Sequence, residues 1–343
     1  MGSSSAPARR VLVTGAGGFI GHHLVAALAD DGHWVRGTDT RPPQFEQSRA
    51  DEFVECDLRD ATGALAVIAD VDEVYALAAD VGGVGFLGEN QARILRNNAL
   101  IDINTIDAAA RNGVERLLFA SSAFVYPDHL QSVADVVGLK ESDAHPAAPQ
   151  TAYGWAKLTA ERLCMHYAAE TSLETRVVRL HNIYGPLGPW TGGQEKVPAA
   201  LCRKVALAKL TGGDSIEVWG DGQQTRSFCF VTDAVDGIRR LMESDLSVPV
   251  NLGSDELVSI DGLAELIMSI ARVHLPLRHI EGPQGVRGRN SDNTLIRARL
   301  GWEPTVSLLD GMTDTYRWIE GQVAVHLADP AAGRGGRGSP GHK

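Results

Sequence analysis

The chain has 343 residues, 44% of them hydrophobic and 22% charged, with 37 glycines, values that suit a soluble α/β protein and leave no room for extensive disorder. A formal net charge of -11 argues against a general nucleic-acid or membrane-surface role, because those surfaces need a basic excess. Cys56, Cys164, Cys202 and Cys229 are widely spaced and form no C-x-x-C pair, so neither a metal site nor a disulfide framework is indicated. No apolar run is long enough to span a bilayer and Met1 to Arg10 has no signal-peptide core, which together with the cysteine usage points to a cytoplasmic location.

In chain order, Val11-Leu12-Val13-Thr14 is an apolar, β-branched run that reads as a buried parallel strand. The glycine-rich turn Gly15-Ala16-Gly17-Gly18-Phe19-Ile20-Gly21 follows and opens a helix. Gly15, Gly18 and Gly21 permit a tight turn, close approach of a pyrophosphate and close packing of helix on strand, while the helix N-terminus supplies N–H groups to phosphate. A second strand, Trp34 to Thr38, ends at Asp39, an acidic side chain placed to accept from an adenosine ribose, which favours NAD over NADP despite Arg41 nearby. Strands at Glu52 to Glu55, Glu73 to Leu77, Leu117 to Ala120 and Thr175 to Leu180 alternate with helical patterns such as Leu95 to Asn112 and Lys157 to Thr171. That alternation predicts a doubly wound parallel sheet of Rossmann type. Asp57-Leu58 follows its strand at the expected adenine edge, and Ala78-Ala79-Asp80 closes another strand at the carboxyl edge where such sheets bind ligands.

Tyr153-Gly-Trp-Ala-Lys157 puts phenol and ammonium one turn apart on one helix face. The lysine can lower the tyrosine pKa and hold a nicotinamide ribose, leaving the phenol to take a proton from a sugar hydroxyl that Ser122 also binds. His181 reads equally as a satisfied core histidine. Asp233, after Phe230-Val231-Thr232, is placed to cap a helix.

With the glycine turn, Ser122 and the Tyr-Lys pair, the chain resembles the extended short-chain dehydrogenase/reductases. The stretches Ala78 to Phe86, Leu139 to Asp143, His181 to Pro186, Gly192 to Pro198, Trp219 to Phe228 and Gly285 to Asn293 make it similar to the GDP-mannose 3,5-epimerase family, from about Val11 to Glu320. The resemblance implies NAD-dependent oxidation of a hexose at C4, inversion beside the ketone, and re-reduction. It assigns Tyr153, Lys157 and Ser122 to the redox step and Lys196 to proton donation. It places Gly82, Gly83, Ala123, Phe124, Asn182, Glu195, Lys204, Gln224, Arg226 and Arg289 against a GDP-sugar, the three cations suiting a diphosphate.

Phe124 departs from the family, which carries a cysteine base there. Phenylalanine removes no proton at any pH, so three enzymatic readings stand: Asp128, His129 or a water replaces the base; Lys196 inverts one carbon; or the enzyme inverts C4 alone by hydride removal and return. A catalytically silent NAD- and nucleotide-sugar-binding protein is the non-enzymatic alternative. The expected organisation is an NAD-binding domain over residues 10–184 joined by 228–250, a substrate lobe from 185–227 and 251–322, and flexible ends at 1–9 and 324–343. The resemblance also implies a homodimer, built through the long helices around residues 93–111 and 157–170.

Overall fold

The computed structural model describes residues 8–328. The first half runs β1 (Arg10–Thr14), α1 (Phe19–Asp30), β2 (Trp34–Asp39), β3 (Glu52–Glu55), α2 (Ala61–Val67), β4 (Glu73–Ala76), α3 (Val84–Glu89), α4 (Gln91–Arg111), β5 (Arg116–Ser122), α5 (Ala152–Glu170) and β6 (Glu174–Leu180). The second half adds β7 (Ile183–Tyr184), α6 (Val197–Thr211), β8 (Ile216–Trp219), β9 (Thr225–Ser227), β10 (Cys229–Phe230), α7 (Val231–Glu243), β11 (Val250–Leu252) and β12 (Leu257–Ser259). It closes with α8 (Ile260–Ala271), β13 (Leu277–Ile280), β14 (Gly288–Arg289), α9 (Thr294–Leu300) and α10 (Leu308–Ala328).

Among the described residues the central sheet has seven strands in the order β11-β6-β5-β4-β1-β2-β3. Its pairings are all parallel, as expected of a doubly wound sheet. Val11, Val13, Tyr75, Leu118 and Val178 point to a layer closed by α1 and α7, and Leu12, Val74, Leu117, Phe119 and Val177 to one closed by α2, α4 and α5. Burial on both faces explains why these strands read as continuous apolar runs rather than alternating ones. Since β1 and β4 are neighbours and the chain winds outward from them in both directions, the crevice at their carboxyl ends is the ligand position for this topology.

A second apolar core lies among α6, α8, α10 and β8, where Leu201, Val205, Leu263, Ile267, Met312 and Ile319 are buried together. The segment expected whole in this lobe is in fact divided. Ile296 and Trp302 belong to the core of the large domain, and the Trp302 indole donates to the Asp233 carbonyl at 3.1 Å. Asp233 likewise departs from expectation: α7 is preceded by Phe230 with no side-chain cap. The Asp233 carboxylate instead accepts from Thr305 Oγ1 at 2.8 Å and Val306 N at 3.0 Å, because the chain returning from α9 brings donors there.

The flexible ends expected at 1–9 and 324–343 fall mainly on residues outside the described ones. Within the described range, Arg9 pairs with Glu73 and Glu115. The last helix continues to Ala328, its inner face anchored by buried Ile319 and Val323.

Beneath the carboxyl edge, Arg179 of β6 grips Glu161 of α5 through two hydrogen bonds of 2.9 and 2.7 Å. Ser121 donates to the same carboxylate and Arg179 also donates to the Glu141 carbonyl at 2.7 Å. Both partners are almost wholly buried, so removing one strands a charge in low dielectric. Glu161→Ala is therefore expected to lower unfolding free energy by about 3–5 kcal/mol, read as a reduced urea midpoint.

Candidate active site

The glycine turn leaves β1 and Gly18 precedes α1 without any side-chain cap, so the first N–H groups of the helix face outward unclaimed by a side chain. A side chain at Gly21 would collide with the Gly15 carbonyl, which is why the helix can start so close to the turn. Asp39, at the end of β2, accepts from Gly17 N at 3.1 Å and from Thr40 N at 2.7 Å. Phe19 and Ile20 pack beneath the same turn against the large core. Phe19 also lines a cleft with Gly17, Gly18, Arg41 and Leu187. Asp57 follows β3 and is paired with Arg59, while Leu58 is buried and its carbonyl accepts from Asn104 at 2.8 Å. An uncapped helix start beside a carboxylate suits the pyrophosphate and ribose of NAD.

The next strands in the sheet bring in the reacting side chains. Tyr153 lies in the first turn of α5, whose start at Ala152 precedes the Lys157 boundary read from the sequence. Gly154 leaves room for the Phe124 carbonyl, which a side chain there would strike. The Phe124 ring meets the Tyr153 ring edge-on, with centroids 5.8 Å apart. Ser122 Oγ, at the end of β5, accepts from Phe124 N at 3.3 Å and orders the short turn holding Ala123 and Phe124. Burial raises the Tyr153 pKa, Lys157 opposes that rise and Asp102 adds to it. Lys157 is buried and its ammonium donates to Asp102 Oδ1 of α4 at 3.1 Å. No motif marks Asp102; it stands 55 residues before its partner, and only the crossing of α4 and α5 brings the two together.

On the other wall, Arg289 Nε donates to Gln131 Oε1 at 2.6 Å, and its guanidinium lies 4.4 Å from the Phe124 ring centroid. Arg226 donates to the carbonyls of Thr225 at 2.7 Å and Val286 at 2.6 Å. Neither forms an ion pair among the described residues. Burial lowers the pKa of Arg226 to about 10, and burial followed by repulsion from Arg226 lowers that of Arg289 to about 9. Both remain cations at neutral pH. Gln224 Nε2 donates to Gln284 Oε1 at 2.9 Å, leaving its own buried oxygen without a protein partner.

Gly83 sits where an added side chain would press on the Glu195 carbonyl at 3.0 Å, and Gly82 packs beneath the Phe86 ring. Phe86, Ala79 and Val81 pack with Tyr153 and Phe124, so one loop links the phenol to the Glu195-Lys196 turn. Glu195 accepts from Gly193 N at 2.7 Å and Arg203 at 2.9 Å. Lys196 is open to solvent at the start of α6, yet the surrounding protein desolvates its ammonium and lowers its pKa. Lys204 donates to the Glu217 carbonyl at 2.7 Å, and Asn182, at φ 38, donates to the Ser227 carbonyl at 2.9 Å. His181 bonds Asn251 at 3.0 Å and burial drives its pKa down to about 3, marking it as a neutral core residue. Asp128 and His129 are exposed, although the Asp128 charge reaches Arg289.

Residues 11–253 match the NAD dependent epimerase/dehydratase family. GDP-mannose 3,5-epimerase 1 of Oryza sativa subsp. japonica is 50% identical over 316 residues, covering 92% of this chain and 82% of that protein. GDP-mannose 3,5-epimerase of Arabidopsis thaliana is 48% identical over 321 residues, covering 93% and 84%. Among solved structures, the UDP-glucose 4-epimerase of Thermotoga maritima with UDP-glucose superposes with a TM-score of 0.81 at 25% identity, covering 92% of this chain and 99% of that one. MoeE5 in complex with UDP-glucose and NAD gives 0.76 at 28% identity, covering 92% and 99%. With that extent of likeness on a sheet edge shaped for a dinucleotide, the chain belongs to the NAD-dependent epimerase/dehydratase family and groups within it with the GDP-mannose 3,5-epimerases.

Proposed function

We propose that this NAD-dependent nucleotide-sugar epimerase acts on a GDP-hexose resembling GDP-mannose, through a transient ketone at C4 and inversion at C3, C5 or both. The observation that carries the reading is the pair of guanidiniums without an ion-pair partner among the described residues, Arg289 over the Phe124 ring that meets Tyr153 and Arg226 close enough to repel it. They suit a diphosphate whose sugar reaches the phenol. The 50% identity to the rice enzyme supports the choice of guanosine diphosphate.

Bound NAD would supply the two-electron acceptor and donor at C4, held by the glycine turn, Asp39, Asp57 and Leu58. Tyr153 takes the C4 hydroxyl proton, Ser122 shares that hydrogen bond, and Lys157 stabilises the phenolate. The ketone acidifies the hydrogens on C3 and C5. In this reading Asp128, His129 or a water takes the C3 or C5 proton, and Lys196 returns one to the opposite face of the enediolate, its ammonium a stronger acid than an ordinary lysine. Gly82, Gly83, Ala123, Asn182, Glu195, Lys204 and Gln224 complete the sugar and nucleotide contacts in this reading.

Phe124 favours a second reading, inversion at C4 alone. Its ring lies between the Tyr153 edge and the Arg289 guanidinium, and no carboxylate, thiol or imidazole makes a hydrogen bond in that turn among the described residues. A C4 epimerase needs no base for a carbon-bound proton; the ketone turns over and is reduced on its other face.

Incubation with GDP-mannose in deuterated water separates the two. Deuterium at C3 or C5 is expected, and product free of solvent deuterium supports C4 inversion; neither NAD binding nor product would leave the silent-binder alternative. Lys196→Met is expected to cut C3/C5 deuterium incorporation at least tenfold while NAD binding persists. In the parent chain that incorporation declines as pH rises through the lowered Lys196 pKa, because only the ammonium donates.

A homodimer and a cytoplasmic location belong to the same proposal. Leu95 and Ile103 on α4 and Trp155 and Met165 on α5 are exposed apolar side chains, suited to a helix-on-helix contact with a second copy. No described helix is long and apolar enough to cross a membrane, and the cysteines are free. Ile103→Asp is expected to halve the mass measured by light scattering without loss of fold.

A further inference from the structure

We infer that Asp102 is a positioning residue for the Tyr-Lys pair: from α4 its carboxylate fixes the Lys157 ammonium and opposes, with its negative charge, the positive charge that lies beside Tyr153. The inference rests on the redox role proposed for Tyr153 and Lys157, but the coupling among the three groups can be read without turnover.

The geometry is closed around the ammonium. Lys157 Nζ lies 3.1 Å from Asp102 Oδ1, 4.5 Å from the Phe119 ring centroid and 5.9 Å from the Tyr153 ring centroid. The Lys157 and Asp102 side chains are only 1% and 4% exposed, so water screens the pair little. Two aromatic rings and one carboxylate leave Asp102 as the ammonium's hydrogen-bond acceptor among the described residues. The other carboxylate oxygen, Oδ2, is buried without a protein partner, so no second donor diverts the charge.

The titratable groups facing this cluster are Tyr153, Lys157 and Cys164 of α5 and Asp102 of α4. Burial raises Cys164 far above neutrality, so it stays a neutral thiol. Glu161, farther along α5, is engaged by Arg179. β5 and the turn after it contribute Phe119, Ser122 and Phe124, none of which titrates here. Burial raises Asp102 to about 6, with Lys157 pulling the other way, so the pair is ionic at neutral pH. Burial is the largest influence and opposes the Lys157 charge, but Asp102, by charge and hydrogen bond, together with Tyr153 and Cys164 leaves the lysine pKa raised. An Asp102 anion therefore keeps the ammonium charged and at the same time offsets part of its pull on Tyr153. A neutral acceptor in its place keeps the hydrogen bond and removes both the opposing charge and the support it lends the ammonium, so the phenol ionises at lower pH provided Lys157 stays protonated.

The test uses the full chain loaded with NAD. The Tyr153 titration is isolated as the phenolate absorbance difference between each protein and its Tyr153→Phe counterpart, with and without Asp102→Asn. The expected result is a midpoint lower by about one pH unit in Asp102→Asn, with Asp102→Glu restoring the parent value. A midpoint unchanged or raised by Asp102→Asn would overturn the inference. If Asp102→Asn does not fold, Asp102→Ser, which also keeps an acceptor, is titrated with the same two criteria. Because no sugar is present, failure of the GDP-mannose reading leaves this result unaffected, and a null titration leaves that reading standing.

Discussion

The first turn of α5 lies against the backbone leaving β5, with Gly154 beneath the Phe124 carbonyl where no side chain fits. That contact decides how Tyr153, Phe124 and Lys157 stand relative to one another. It presses the Tyr153 ring against the Phe124 edge and turns Lys157 inward to α4. Movement by the width of a methyl group would open the phenol to water and loosen the hold of α5 on the sheet.

Charge around this contact is sorted by location. Inside the large domain, each buried cation beside α5 has its anion: Arg179 has Glu161 and Lys157 has Asp102. Arg289 is buried and Arg226 half-buried, each with carbonyl or amide acceptors alone among the described residues. Lys196, by contrast, is open to solvent at the start of α6. Burying a cation without its anion costs stability.

Phe124 connects the two zones. Its ring meets the phenol on one side and carries the Arg289 guanidinium near its face, an attraction between cation and π-cloud that helps hold an otherwise unpaired charge. The loop through Gly83 packs against the Glu195 carbonyl and so links Tyr153 and Phe124 to the turn before α6.

Much of this was legible in the residues. Apolar β-branched runs at regular intervals determined the parallel sheet, and the glycine turn with Asp39 marked its dinucleotide edge, because these signals are local and depend on backbone geometry alone. The spacing of Tyr153 and Lys157 was likewise a property of one helix. Asp102 could not be found that way, since its importance comes from two helices crossing and from burial, neither of which a linear pattern encodes. Asp233 looked like a helix cap for the same reason: its true donors, Thr305 and Val306, are supplied by a distant return of the chain. Trp302 and Ile296 joined the large core because that surface of α7 needed covering, whatever lobe their neighbours entered. The sequence by itself determined which elements form and which chemistry they carry, because local sterics and hydrogen bonding act over a few residues. Tertiary structure alone decided which charges are paired, because burial and charge pairing depend on contacts between distant segments.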